Sequence, residues 1–435
     1  MTRFRSRHVR AALLAAVPVA AAALILTGCG RSATEAGPTN TATINSSPAK
    51  GTLEFWAPGA DGADLPQLWK KFEAENPDVK INLTQVPSAD FASKMTAAIA
   101  SGTVPDAVFI TTEDQPGILA TGGFQSVPNN LVKKADFFKA SWDASVVSGT
   151  QYGVPWYTYA QVIQYRKDLA EKAGLKAPTD WNSLKTFAEG MKAQGVQYPV
   201  ALAVSYDIYT AQEINVFAHQ NGGGFLSADG KKWTINTKAN VQALDFWSSL
   251  IKDGLASADG PSFLDTVPNF IKGTNAVEYN GPWFPGWLDQ AAGAGWSAKN
   301  VELSVPPAGK SGDKATTVGG GSLFVLKGAK NSDAAWKLIR YMAQPDTQVD
   351  WYKIFGNLPA NSTAWENPTI KNAPYIDTIR KSIEIGFGTP NASTWGQVGK
   401  VIAQEAEQVA RGKITAQAAL DAAQQQADSI GTGNK

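Results

Sequence analysis

Beyond residue 50 the chain alternates short apolar runs with amphipathic stretches. Thr52-Leu-Glu-Phe-Trp-Ala57 reads as a strand. Asp64 is placed to cap a helix whose apolar positions, Leu65, Leu68, Trp69 and Phe72, follow the 3.6-residue period; Asn76-Pro77 ends it. Val79, Ile81 and Leu83 alternate as a second strand, and Phe91, Met95 and Ile99 mark a helix stopped at Gly102. Asp106–Ile110 is a short apolar run suited to a buried parallel strand. This is a βαβαβ order, with parallel strands, right-handed crossovers and ligands expected beyond the strands' carboxyl ends. Those ends carry Trp56–Asp61 and Thr111–Gln115. Residues 158–318 are more helical: Thr179-Asp-Trp181 opens a helix reaching Met191, and Asn240–Ile251 forms another. Ala276–Asn280 reads as a strand, Gly222–Gly224 and Gly319–Gly321 as turns, and Ser322–Leu326 as a strand. Ser332 or Asp333 starts a further helix, and residues 394–430 are helical with a break at Gly412.

The amino terminus has another character. Arg3, Arg5, Arg7 and Arg10 precede an apolar run to Ile25, then Leu26-Thr-Gly-Cys29. A basic region, a short apolar core and small residues before a cut site describe a secretory signal; the run is short, and broken by Pro18, for a membrane span. Removing residues 1–28 takes away four arginines and no acid, leaving a formal charge of −3. The Ser-, Thr-, Gly- and Pro-rich stretch to residue 50 reads as a flexible tether.

The 435 residues carry a formal charge of +1, which argues against broad electrostatic binding of nucleic acid. One cysteine and two histidines leave no intramolecular disulfide, no thiolate cluster and no His-rich metal site, and no cofactor is expected. Fourteen tryptophans and eleven tyrosines suit contact with something flat and polar-rimmed. Neither glycine cluster has phosphate-loop spacing.

In order along the chain, several segments resemble the extracellular solute-binding proteins of ABC sugar importers, the maltose- and oligosaccharide-binding group. They are the lipobox-like Leu26–Cys29, the strand ending at Trp56, Val104-Pro-Asp-Ala-Val108, Tyr152–Tyr157, Gln164–Leu169, Pro178-Thr-Asp-Trp181, Asn280-Gly-Pro-Trp283, Gly319–Gly321, Ala334-Ala-Trp336, Gly356-Asn-Leu-Pro359 and Gly412–Leu420. The resemblance implies an α/β fold of two discontinuous lobes joined by crossing hinge strands, closing on the ligand. Lobe 1 would be 51–157 with 319–358, and lobe 2 would be 158–318 with 359–435. Residues 1–28 would be a lipoprotein signal peptide, 29–50 the tether, and Cys29 the lipidated residue. A monomer outside the membrane, lipid-anchored, would pass its sugar to permease subunits.

A sugar offers apolar C–H faces rimmed with hydroxyls, so aromatic platforms and carboxylate acceptors are expected at loops and strand ends. Trp283 lies between glycines and prolines and matches the family's stacking tryptophan; Trp287 and Trp395 are further aromatic candidates. Tyr209 and Asp207 belong to the second lobe. Trp156 and Tyr159 lie on the first crossing, Trp56 and Asp61 past the first strand, and Glu113 and Asp114 past the third. Gly320, among three glycines, would let backbone approach the ligand. His219 reads as structural. A secreted glycoside hydrolase would also carry aromatics and carboxylates, but nothing marks an acid and a nucleophile here. Binding of a peptide-type solute, or of matrix glycans without transport, is also compatible with these residues.

Overall fold

The structure, a computed structural model, describes residues 43–59, 62–260 and 266–434. Cys29 and Asp61 lie outside them. The opening elements are β1 (Gly51–Pro58), β2 (Val79–Val86) and β3 (Ala107–Thr111), with helices Leu65–Glu75 and Ser88–Ser101 between them. β1 pairs in parallel with both β2 and β3. Then come the short hairpin β4 (Val146–Val147) and β5 (Thr150–Gln151), followed by β6 (Gly153–Ala160) and β7 (Val162–Arg166). The remaining strands are β8 (Val277–Asn280), β9 (Val301–Ser304), β10 (Thr316–Val325), β11 (Leu358–Pro359) and β12 (Gly386–Phe387).

Two sheets organise the chain. The larger runs β11-β6-β10-β3-β1-β2, with β12 added beside β10; the smaller runs β8-β7-β9. The period-2 alternation of strand side chains buries both faces of the larger sheet. Leu53, Phe55, Ala107 and Phe109 face the helices Leu65–Glu75 and Ser332–Met342, whereas Val108, Ile110 and Phe324 face Phe91 and Met95. The smaller sheet packs against helix Trp181–Ala193 through Ile163 and Val277. Helices Ile208–Gln220, Lys238–Lys252, Trp395–Ala410 and Ala416–Ile430 form the adjacent helical core. Only Gln161 separates β6, in one sheet, from β7, in the other. Its amide donates to the Thr317 carbonyl of β10 at 3.0 Å, tying two crossing segments together.

Local chemistry departs from expectation at several points. Gly319–Gly321 is not a turn; it lies inside β10, a ten-residue buried strand. A Cβ at Gly320, whose φ is +136°, would sit 2.1 Å from the Tyr157 carbonyl oxygen, and one at Gly321 would meet the Phe109 ring. Gly320 therefore serves close packing of neighbouring strands rather than approach to a ligand. Asp64 makes no cap; it accepts from the Gln67 side chain, and Pro66 opens the helix. Asn331, rather than Ser332 or Asp333, caps the helix Ser332–Met342, through the Ala334 amide. Asp180 forms a full capping box with Ser183.

The described end of the expected tether is docked. Ile44 and Ala49 are buried, the Ala49 amide donates to Asn76, and Arg340 donates to the Ile44 and Asn45 carbonyls. Residues 360–384 pack through Ala364, Trp365, Ile370 and Ile379 onto Val318, Val349 and Leu358.

Candidate functional site

Where the two sheets meet, five of the expected residues come together. Tyr159, on β6, is half-buried, and its hydroxyl donates to Glu113 Oε1 at 2.9 Å. A Cβ on Gly319 would lie 2.2 Å from the Tyr159 ring, so that glycine clears the space the phenol occupies. Trp283 meets Tyr159 edge to face, with ring centroids 4.8 Å apart, and Trp287 lies 6.0 Å from Trp283. Tyr209 is the one large apolar side chain that stands exposed among the described residues, at 40%. Desolvation first, and then the charges of Glu113 and Asp207, hold its phenol above the usual pKa. Glu113 and Tyr209 thus sit within each other's field although they lie on segments 96 residues apart in sequence.

The Asn-Gly-Pro-Trp segment explains how Trp283 is aimed. The Gly281 amide donates to Asn280 Oδ1 at 2.8 Å, and its carbonyl accepts from Gln164 Nε2 at 2.7 Å. A Cβ on Gly281 would fall 2.3 Å from the Trp283 ring. The indole therefore folds back over its own backbone, which only glycine at 281 permits.

Glu113 has solvent-accessible surface yet is crowded by protein, and this desolvation raises its carboxyl pKa despite the Tyr159 hydrogen bond. Accessible to water but poor in it is the condition of a group in a cleft. Asp114, half-buried beside it, is also raised by desolvation, with Thr111 as its hydrogen-bond partner. Asp207 caps the helix Ile208–Gln220 by accepting from the Tyr209 amide at 2.9 Å, so one of its oxygens is committed to structure. That cap fixes the first turn, and with it Tyr209.

Other candidates lie elsewhere. Trp156 is 2% exposed and packs on Trp351 at 5.5 Å, inside the core of the larger sheet. Trp395 is 4% exposed, against Trp233 in the helical core. Neither leaves a ring face for a ligand. Trp56 is half-buried at the end of β1, packed beside Val86 and Phe91. His219 stacks on Phe387 at 3.8 Å, and burial lowers its pKa to about 4.

The sequence reading missed a cavity of about 720 Å³ opening between the hairpin β4–β5 with Leu119–Phe124 on one side and residues 226–231 on the other. The five-residue helix Gln115–Leu119 leads from Glu113 and Asp114 to its edge. Ser227, Asp229, Lys231, Asn391 and Asn434 line it, and Asn391 Nδ2 donates across the gap to the Val146 carbonyl at 3.0 Å. These are ordinary loop residues, and no spacing singles them out. Glu213 and Glu278, buried carboxyls, were likewise unmarked. No group of His, Cys, Asp and Glu among the described residues is arranged to hold a metal ion.

The sequence matches the bacterial extracellular solute-binding protein family over residues 67–378. The chain belongs to that family. It is 26% identical to a putative binding protein of Brucella abortus, covering 85% of this chain and 90% of that one. It is 25% identical to a lactose-binding protein of Rhizobium radiobacter, covering 69% and 72%. Among solved structures it resembles the sugar-binding protein MalE of Xanthomonas citri, with a TM-score of 0.79, 26% identity and coverage of 87% and 97%. The fold is thus the two-lobed one of these extracytoplasmic binding proteins. No helix among the described residues is long and apolar enough to cross a membrane.

Proposed function

We propose that this solute-binding protein captures a sugar, an oligosaccharide, between its lobes and releases it chemically unchanged to the permease of an ABC importer. The observation that carries this reading is the cluster of Glu113, Tyr159, Tyr209, Trp283 and Trp287 at the junction of the two sheets. Rings cover the C–H faces of a sugar, and a desolvated carboxylate accepts from its hydroxyls in strong charge-assisted bonds. Asp114 and the second oxygen of Asp207 add acceptors, Trp56 lies at the adjoining strand end, and Asp61 follows it in the sequence. The neighbouring cavity, at about 720 Å³, is of the size that small-molecule sites occupy. The sugar-binding and lactose-binding proteins among its relatives support the choice of ligand class.

In this reading residues 51–157 and 319–358 form lobe 1, and 158–318 with the carboxyl-terminal helices form lobe 2. The packing of 360–384 onto Val318 and Leu358 supports moving that stretch to the first lobe. The protein acts as a monomer, anchored through a lipid on Cys29, and closes about Gln161.

The test is a thermal-shift screen of protein from residue 30 onward against mono- and oligosaccharides, with the sugar recovered afterwards. A ligand at 100 times its dissociation constant adds about 2.7 kcal/mol of stability. A large shift with intact sugar supports the proposal. A shift with cleaved sugar makes the protein a hydrolase, and no shift with any sugar moves the ligand to another solute class.

A further inference from the structure

Beneath the Trp283 loop, β7 and β8 bury a polar pair. The antiparallel register sets Gln164 directly opposite Glu278, so both side chains leave the sheet on one face. Gln164 is 0% exposed and Glu278 2%. The Gln164 amide can point only one way. Its Nε2 donates to the Gly281 carbonyl at 2.7 Å, and the flipped amide would set two carbonyl oxygens against each other. Its Oε1 is then buried with no partner, and so is Glu278 Oε1. The Glu278 carboxyl accepts from the Thr266 hydroxyl.

Two buried acceptors on cross-strand neighbours are costly if each stays unpaired. Other groups on this face and across the sheet do not relieve them. Arg166, next along the face of β7, is committed to Asp168 and to the Phe270 and Ile271 carbonyls. Asn280, next along β8, holds the Gly281 amide with Oδ1, and its Nδ2 reaches neither oxygen. Glu213, from helix Ile208–Gln220, contributes only like charge, and it is already served by the Ala203 amide and the Trp247 indole. The Tyr279 hydroxyl pairs with Thr316. A single proton on Glu278 turns one acceptor into a donor and satisfies both.

We propose that Glu278 is held as a carboxylic acid donating to Gln164 Oε1, and that this pair is the positioning device for the Gly281 carbonyl and hence for Trp283. Burial acts in the same direction, pushing Glu278 up to about 8 and Glu213 to about 7. Loss of the proton sets a carboxylate against an amide oxygen under the loop, and the loop loosens. The geometry of the pair stands apart from the ligand; only its bearing on affinity rests on the sugar reading.

The experiment measures amide hydrogen exchange over residues 280–287 in ligand-free full-length mature protein between pH 6 and 9, corrected for the intrinsic rate. Glu278→Gln supplies an amide donor to Gln164 and an acceptor to Thr266 at every pH, a copy of the protonated acid. Wild type should show excess exchange rising by up to about tenfold per pH unit as pH approaches the pKa of the acid, and levelling off above it. Glu278→Gln should stay flat, Gln164→Leu should be loose throughout, and Glu213→Gln should keep a pH-dependent rise. A flat wild-type profile, or the same profile in wild type and Glu278→Gln, overturns the proposal. Infrared spectra give a second check: Glu213→Gln, which leaves Glu278 in place, must keep a protonated-carboxyl band at pH 6 that is lost by pH 9, and Glu278→Gln must lack the part of the band that titrates highest. Absence of the band from Glu213→Gln refutes the assignment. Maltotriose affinity, measured alongside, should fall with pH in wild type and Glu213→Gln but not in Glu278→Gln. If no sugar of the screen, maltotriose included, binds while the exchange pattern holds, the sugar reading fails and the positioning pair stands.

Discussion

Trp283→Ala is the most direct probe of the site. Trp283 is half-buried, touching Tyr159 at 4.8 Å and Trp287 at 6.0 Å, so only part of its ring is left for a ligand to cover. Taking that part as roughly 60 Å² at ~25 cal/mol per Å² gives about 1.5 kcal/mol from area alone. Aromatic geometry adds roughly 0.5–1.5 kcal/mol. The sum, about 2–3 kcal/mol, raises Kd by roughly 30- to 150-fold. Isothermal titration with the sugar found by the screen measures it, with Trp283→Phe expected to retain most of the affinity because it keeps a ring. Thermal melts of both variants check that the fold is intact. Binding by Trp283→Ala within about threefold of wild type would refute the stacking argument, since no smaller contact could replace that area.

Gly281→Ala should lower affinity nearly as much as Trp283→Ala, because its Cβ would occupy the place of the indole 2.3 Å away; titration of the two variants side by side checks it. Gly320→Ala forces a methyl against the Tyr157 carbonyl at a φ of +136° and should lower stability by about 3 kcal/mol or more, seen as reduced soluble yield and an earlier melt. His219 should set the acid limb of stability. Its folded pKa of about 4 lies below the usual value of 6.5, so the unfolded chain takes up the extra proton and stability falls as pH drops from 6.5 to 4. The loss is of order 2 kcal/mol after allowance for its partial exposure, and His219→Phe should flatten this limb in melts against pH. Asn391→Ala removes the 3.0 Å bond to the Val146 carbonyl and should open the ligand-free protein, read as a larger radius of gyration in solution scattering.

Much of this was legible because local signals and tertiary demands agreed. The opening βαβαβ unit, the helix opened by Asp180 and the break at Gly412 all carry their reasons in neighbouring residues. Around Trp283 the signal was only half right: Gly281 and Pro282 do end the strand before it, but Phe284-Pro-Gly-Trp287 opens the helix Phe284–Ala292, with Pro in its first turn, rather than staying loop. Gly319–Gly321 misled because turn and close-packed strand both call for residues without a Cβ, and only the neighbouring rings decide between them. Trp395 and Trp156 misled because an aromatic at a helix start or on a crossing strand is equally suited to core and cleft, and which face it takes depends on distant partners, Trp233 and Trp351. Ile44 and Ala49 were unreadable as core because two small apolar residues in a polar stretch show no period. The cavity-lining Ser227, Lys231 and Asn391 meet only in three dimensions.

The single residue between β6 and β7 has a mechanical consequence. Under the proposed closure, a joint this short would concentrate bending at one point, and each sheet would move as a rigid arm. A turn of roughly 20° there displaces an arm tip ~30 Å away by about 10 Å. Contacts of a few ångströms around Glu113 and Tyr209 are thereby geared up to a movement large enough for another protein to feel on the outer surface. The gain of such a lever would be set by Gln161, its bond to Thr317 and the neighbouring Tyr279–Thr316 pair, not by whatever lies in the cleft. One joint could therefore serve many cargoes, with ligand choice free to drift while the outward stroke stays the same.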